Sequence, residues 1–290
     1  MPNSNSFFVD DADPDSAYDA VRTAPHLQHA RVLIESLWEK FRPLSDAHFQ
    51  SDALKHFHQR FWEMYLACAL IDNGIDLKRH GGAGPDFYFE KNNKRVWVEA
   101  VAPTRGEGPD RVPKPSYGVS VSVPTKKVTL RIISAIHDKH RKMEADVDKG
   151  IIGPDDAVIL AINIHQIPHA YVGRTVPYIL KAVFPIGPLS VSIDRTSGTV
   201  IDSIHAYEPS LSKASGSSVS KEIFLDPRYS RISAVISSGV DCVNSPQRIG
   251  GDFLVVHNPN AAHCMPISTF AWSKQSRCED GQIIDIEPEV

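Results

Sequence analysis

The sequence predicts a mixed α/β protein with helices first, a β-hairpin and a crossover helix in the middle, and a β-rich C-terminal part. Three stretches carry this expectation. Phe61-Trp62-Glu63-Met64-Tyr65-Leu66-Ala67-Cys68-Ala69-Leu70-Ile71 is apolar nearly all round, as a buried helix is. Gly84-Pro85-Asp86-Phe87-Tyr88-Phe89 and a strand from Val96 to Ala102 flank the turn Lys91-Asn92-Asn93-Lys94, and asparagine supplies the positive φ angles that a two-residue hairpin turn requires. Ala157-Val158-Ile159-Leu160-Ala161-Ile162-Asn163-Ile164 is a continuous apolar run after a helical stretch, the pattern of a buried strand reached by a crossover.

In chain order, residues 1–24 read as a disordered acidic tail around Asp10-Asp11-Ala12-Asp13. A helix is expected from His26 to Phe41, ended by Pro43. A second is expected from about Ser51 to Asn73, capped by Ser51 or Asp52 and terminated at Gly74. A short strand at Ile75–Lys78 and the link Gly81-Gly82-Ala83-Gly84 lead into the hairpin. Residues 103–125 form a long loop, and a third helix runs from about Lys126 to Lys149. Beyond residue 165, strands are expected at Ile232–Ser237 and Phe253–His257, with a Ser-rich loop at Ser210–Ser220. Residues 25–165 read as the core and 166–290 as a C-terminal elaboration of the same domain or a subdomain.

Composition narrows the class. The chain has 290 residues, 42% hydrophobic and 23% charged, in the range of a soluble globular protein. No apolar run is long enough to span a bilayer, and the N-terminus lacks a signal-peptide pattern. Four scattered cysteines without Cys-x-x-Cys spacing read as reduced thiols in the cytoplasm. A net charge of −4 requires any grip on nucleic acid to come from a local basic surface.

The hairpin fixes the chemistry to look for. If Asn92 and Asn93 form the turn, Lys91 pairs with Lys94, Tyr88 with Trp97, and Asp86 faces Glu99. Like charges on facing residues destabilise a sheet, so a cation is expected between them. A divalent metal is the obvious one. Glu99 lies in an apolar strand, where a carboxylate is rare unless paired.

Glu63 on a buried helix, Gly84-Pro85-Asp86 before a strand and Val98-Glu99 on the next one resemble the PD-(D/E)xK phosphodiesterase superfamily over roughly residues 51–165. The resemblance implies a restriction-endonuclease-like αβββαβ core with a mixed central sheet, and hydrolysis of nucleic-acid phosphodiester bonds. It implies Mg²⁺ or Mn²⁺ held by Asp86, Glu99 and the Ala100 carbonyl, with Glu63 as a further catalytic carboxylate. The family lysine belongs two residues after Glu99, where Val101 stands. Lys139 on the third helix is the preferred substitute, with Lys127 second. Lys127 and Arg131 belong to a basic strip suited to a phosphate backbone. The expected partner is nucleic acid, DNA ahead of RNA, and a homodimer is compatible with the family.

Plainer readings stay open. Glu63 pairs with Arg60, Asp86 is a turn residue, Glu99 forms an ion pair with Arg131, and Lys139 is an ordinary solvated lysine. Val101 supports an alternative function, a catalytically inactive nuclease-fold protein that binds nucleic acid or a protein partner. A zinc site around His257, His263 and Cys264 would need ligands from elsewhere.

Overall fold

The structure is a computed structural model that describes all residues except 1–4, 11–12, 117, 172–175 and 290. Four helices open the chain: α1 (Ser16–Thr23), α2 (Gln28–Phe41), α3 (Phe49–Ala53) and α4 (Phe57–Asp72). Next come β1 (Phe87–Lys91), β2 (Lys94–Val101), α5 (Thr125–Asp148) and β3 (Ala157–Asn163). Then follow α6 (Tyr178–Val183) and two hairpins, β4 (Ile186–Ile193) with β5 (Val200–Tyr207) and β6 (Ser210–Ser212) with β7 (Ser218–Ser220). The chain ends with β8 (Ile232–Ser238), β9 (Leu254–His257), β10 (Lys274–Glu279) and β11 (Gln282–Ile286). A mixed seven-stranded sheet runs β1-β2-β3-β8-β9-β10-β11. Thus the C-terminal part extends the sheet that the hairpin and crossover begin.

Strand alternation divides the core into two layers. Val96, Val98, Ala100, Ala157, Ile159 and Ala161 pack with the N-terminal helices. Trp97, Val158, Leu160 and Ile162 pack with α5 and α6 on the opposite face. By that same alternation, Glu99 projects toward α5. The parallel pairing of β2 with β3, Glu99 opposite Leu160, sets Glu99 in the interior of the sheet. Trp62 fastens α4 beneath it, its indole N–H donating to the Ala161 carbonyl at 3.0 Å.

The hairpin has the expected register, with Lys91 opposite Lys94, Tyr88 opposite Trp97 and Phe87 opposite Val98. Asn92 and Asn93 take φ of 53° and 59°, the pair of positive angles a tight hairpin turn needs.

Four local expectations change. Within the segment read as a disordered tail, α1 is capped by the Asp15 carboxylate, which accepts from Ala17 and Tyr18 N–H. Phe7 is fully buried against Tyr18, Trp38 and Phe57. Three aromatic partners outweigh the local acidity; Met1–Ser4 and Asp11–Ala12 lie outside the described residues. The expected 51–73 helix is two helices, because the Leu54 carbonyl accepts from Asp15 N–H at 2.6 Å instead of continuing the helical ladder. The expected caps Ser51 and Asp52 therefore fall within α3, and α4 starts after His56 without a side-chain cap. The strand expected at Ile75–Lys78 shrinks to one bridge, Lys78 with Tyr88. The chain then turns away as the Arg79 guanidinium pairs inward with Glu63 and Asp46. The Ser-rich loop contains the β6–β7 hairpin.

The β4–β5 ribbon stands outside the main sheet, and Leu189, Val191, Ile193, Val200, Ile201, Ile204 and Tyr207 on it are exposed. Its stem is clamped by the buried Lys221 ammonium, which donates to the Ile186 carbonyl and to Glu208, each at 2.6 Å. Among the described residues no helix is long and apolar enough to cross a membrane.

The turn geometry is testable. Asn92→Val puts a β-branched residue at positive φ and is expected to cost roughly 1–2 kcal/mol. Asn93→Gly is expected to be neutral or stabilising, because glycine accepts that angle freely. Urea unfolding midpoints of both variants decide this; equal loss from both would show that the turn does not set the hairpin.

Candidate active site

Where β1 begins, β2 runs on past it, and two side chains take over the backbone groups left at the edge. Asp86, one residue before the first paired position, accepts from the Ala100 N–H at 2.7 Å through Oδ2. Gln59 on α4 accepts from the Ala102 N–H at 2.7 Å and donates to the Ala100 carbonyl at 3.3 Å. A buried backbone donor left unpaired costs about 1–3 kcal/mol, so both side chains are fixed by a structural need of the sheet. Asp86 is thereby held beside Glu99, in keeping with the facing positions expected from the register.

Glu99 is 4% exposed. Its Oε1 receives Lys139 Nζ at 2.5 Å and Lys142 Nζ at 2.9 Å. Both lysines come from α5, three residues apart and so on one helix face. Glu99 Oε2 is buried and has no hydrogen-bond partner among the described residues. An unpartnered carboxylate oxygen in the interior is costly and calls for a cationic partner.

Asp86 senses this crowding. Burial pushes its carboxyl up from an ordinary 3.8 to about 7, and the Glu99 and Glu63 carboxylates push the same way. The Ala100 N–H and the Lys139 ammonium oppose them. The Lys142 ammonium is opposed by burial, but the Glu99 carboxylate outweighs that and raises its proton affinity.

Glu63 follows the plainer of its two readings, the pair with Arg60. It is 1% exposed, and both oxygens are engaged, Oε2 by Arg60 at 2.6 Å and Oε1 by Arg79 at 3.1 Å. The two guanidiniums continue to Asp52 and Asp46, so Glu63 is the centre of a five-member ion-pair chain under the hairpin. Burial pushes its carboxyl up against the pull of Arg60 and Arg79. These contacts support a structural anchor that adds negative potential at Asp86, not a carboxylate open to a second metal.

The expected basic strip also divides. Lys127 donates to the Pro109 carbonyl at 3.0 Å, and Arg131 Nε donates to the Thr104 carbonyl at 2.8 Å. Both pin the 103–124 loop onto α5, and Arg131 does not meet Glu99. Sequence reasoning named Lys139 for the site and left out Lys142 and Gln59. Helical spacing was the available signal for both: Lys142 is one turn from Lys139, and Gln59 one turn from Glu63. His257 is buried against Gln275, and His263 meets Lys94, so the pair does not converge on a zinc site.

A divalent ion can be tested against these atoms. Glu99 Oε2 is an orphaned oxygen, Asp86 is an adjacent carboxylate, and the Ala100 carbonyl keeps a second lone pair beside its long contact with Gln59. Hard ions of the Mg²⁺ type accept such a set with waters completing the shell, so the donors fit. Among the described residues no group of three or more His, Cys, Asp or Glu side chains is arranged to hold a metal. A metal here would therefore rest on two carboxylates and a main-chain oxygen. No protein-family model, curated protein or solved structure matches the chain.

The raised Asp86 value gives a signed expectation for the metal-free protein. Folding favours the protonated carboxyl, so this contribution to stability is full below the ordinary 3.8 and is lost as pH rises through about 7. Asp86→Asn keeps an acceptor for the Ala100 N–H and removes the titration. In EDTA at pH 8 it is expected to melt above the wild type, by roughly 2–4 °C or more. An unchanged pH slope in the variant would refute the assignment.

Proposed function

We propose that this protein hydrolyses nucleic-acid phosphodiester bonds with the help of a divalent ion at Asp86 and Glu99. The observation that carries the proposal is Glu99: a buried carboxylate with one oxygen orphaned and the other held by two lysines, next to a second carboxylate. The order of elements supports a nuclease-like core of the PD-(D/E)xK kind. Asp86 precedes β1, Glu99 lies on β2, and α5 brings Lys139 to Glu99, while Val101 occupies the position of the family lysine.

Mg²⁺ or Mn²⁺, when bound, would lower the pKa of a coordinated water and polarise the phosphate. Asp86 and Glu99 Oε2 would hold it, with the Ala100 carbonyl. Asp86 must give up its proton to do so, and its raised proton affinity makes metal uptake favour pH above about 7. Lys139 is the ammonium that orients the attacking water or offsets charge on the phosphate. Lys142 pairs with Glu99 and is the more exposed of the two lysines, so it is the one that can swing toward a substrate phosphate. Gln59 and the Glu63 ion pairs hold the two strand ends in position.

A second reading has its own observation. The cavity over Glu99 is only about 10 Å³, and two ammonium groups already answer its charge. That favours a nuclease-like protein that binds nucleic acid or a partner without cutting.

Cleavage of plasmid, linear duplex, single-stranded DNA and RNA in Mn²⁺ separates the readings. The wild type is expected to cut. Glu99→Ala is expected to lose at least about 100-fold, the scale of removing one electrostatic stabiliser. Lys139→Met is expected to lower the rate while Mn²⁺ binding by calorimetry persists. Absence of both cleavage and Mn²⁺ binding would sink the first reading and leave the second.

A further inference from the structure

Helix α5 carries a second set of polar side chains that the Glu99 site does not use. Ser134, His137 and Arg141 recur at helical spacing on a face turned away from Lys139 and Lys142, and they line a cleft of about 630 Å³. Across the cleft stand Lys213 and Ser220 from the β6–β7 hairpin and Tyr229 from the turn before β8. The volume lies within the ordinary range for small-ligand sites.

The lining has two distinct chemistries. One is a ring platform. The His137 imidazole is stacked on Tyr229 with centroids 5.9 Å apart and planes at 22°, and His140 meets the same ring at 4.4 Å. Leu130 and Ile133 provide the apolar floor beside it. Tyr229 is held from behind, its carbonyl accepting from Asn258 at 3.1 Å. The same lining carries cations, and the Lys213 charge is felt at His137. The two lining carboxylates are already answered, Asp138 by Arg141 and Asp226 by Arg228. Lys213 is exposed on the cleft wall and forms no ion pair within 4 Å among the described residues, so it is the uncompensated charge. His137 is half-buried and neither ring nitrogen is hydrogen-bonded among the described residues. Burial and the neighbouring His140 lower its proton affinity against the pull of Asp138, so it presents a neutral imidazole with one donor and one acceptor.

A planar ring platform on an apolar floor, with polar hydrogen-bonding groups at its edge and an unanswered cation within the same cleft, matches a base joined to a phosphate. We propose that this cleft binds a nucleotide unit, the base on Tyr229 and His137 and the phosphate at Lys213, with Arg141 and the serine hydroxyls beside it. A free nucleotide and one residue of a single strand present the same chemistry. The site stands on its own residues and does not depend on hydrolysis at Asp86 and Glu99.

The test is calorimetric titration of the full chain in EDTA with nucleoside monophosphates, a short single-stranded oligonucleotide and inorganic phosphate. Tyr229→Ala and Lys213→Glu are expected to weaken binding about 10-fold each. Tyr229→Phe is expected to retain it, and Lys213→Glu, at an exposed position, guards against a variant that fails to fold. Equal affinity for mononucleotide and oligonucleotide identifies a free nucleotide; tighter oligonucleotide binding, lost in both variants, identifies a strand. The proposal is overturned if neither ligand binds at about 1 mM, the weak end of specific binding. It is also overturned if inorganic phosphate binds as well as a nucleotide, or if folded variants bind like the wild type.

Discussion

One buried negative charge organises this molecule. Glu99 sits on an interior strand, where an uncompensated carboxylate would cost several kcal/mol even after relaxation of its surroundings. The structure answers that cost from one side only. Helix α5 lies across the sheet so that Lys139 and Lys142 reach the same oxygen. The second oxygen has no partner among the described residues, while burial and then the Glu99 charge raise the proton affinity of Asp86. A purely structural ion pair would satisfy both oxygens, as Arg60 and Arg79 do for Glu63. The two glutamates thus differ within a single protein, one fully answered and one half answered.

The scaffold around that charge is unusually dependent on side chains replacing backbone. β1 stops short of the end of β2, and Asp86 and Gln59 complete the edge. Therefore the same carboxylate that faces Glu99 also terminates the hairpin ladder. Positioning of this kind couples the local fold to the chemistry: a shift in β1 register would move Asp86 away from Glu99 and uncover the Ala100 N–H together.

The sequence was most legible where a single period ruled. The paired asparagines set the register, and the register brought Asp86 to Glu99. Lys139 was a candidate only through the resemblance, which allows the lysine missing at Val101 to come from the following helix. What stayed hidden was set by distant partners. The break between α3 and α4 follows from Asp15 capturing the Leu54 carbonyl, and no local feature of residues 49–57 announces it. Phe7, outside any helix, packs against rings from three of them. Arg79, which closes the Glu63 chain, lies sixteen residues away in a segment with only a strand-like pattern. The C-terminal strands β10 and β11 mix polar residues with apolar ones and give little periodic signal.

The strand order carries a consequence for how the chain assembles. β3 is flanked by β2, reached through a single crossover helix, and by β8, which arrives only after α6 and both side hairpins. The first pairing closes a loop of moderate length, while the second must wait for a long excursion to return, and such non-local parallel pairing is intrinsically slow. Loop-closure entropy rises only as the logarithm of length, so the excursion itself taxes the final stability little. Its cost is kinetic: until β8 docks, one edge of β3 stays open, and the buried apolar strand Ala157–Asn163 is exposed to other chains. The window for misassembly during synthesis is thus set by the time between the emergence of β3 and that of β8.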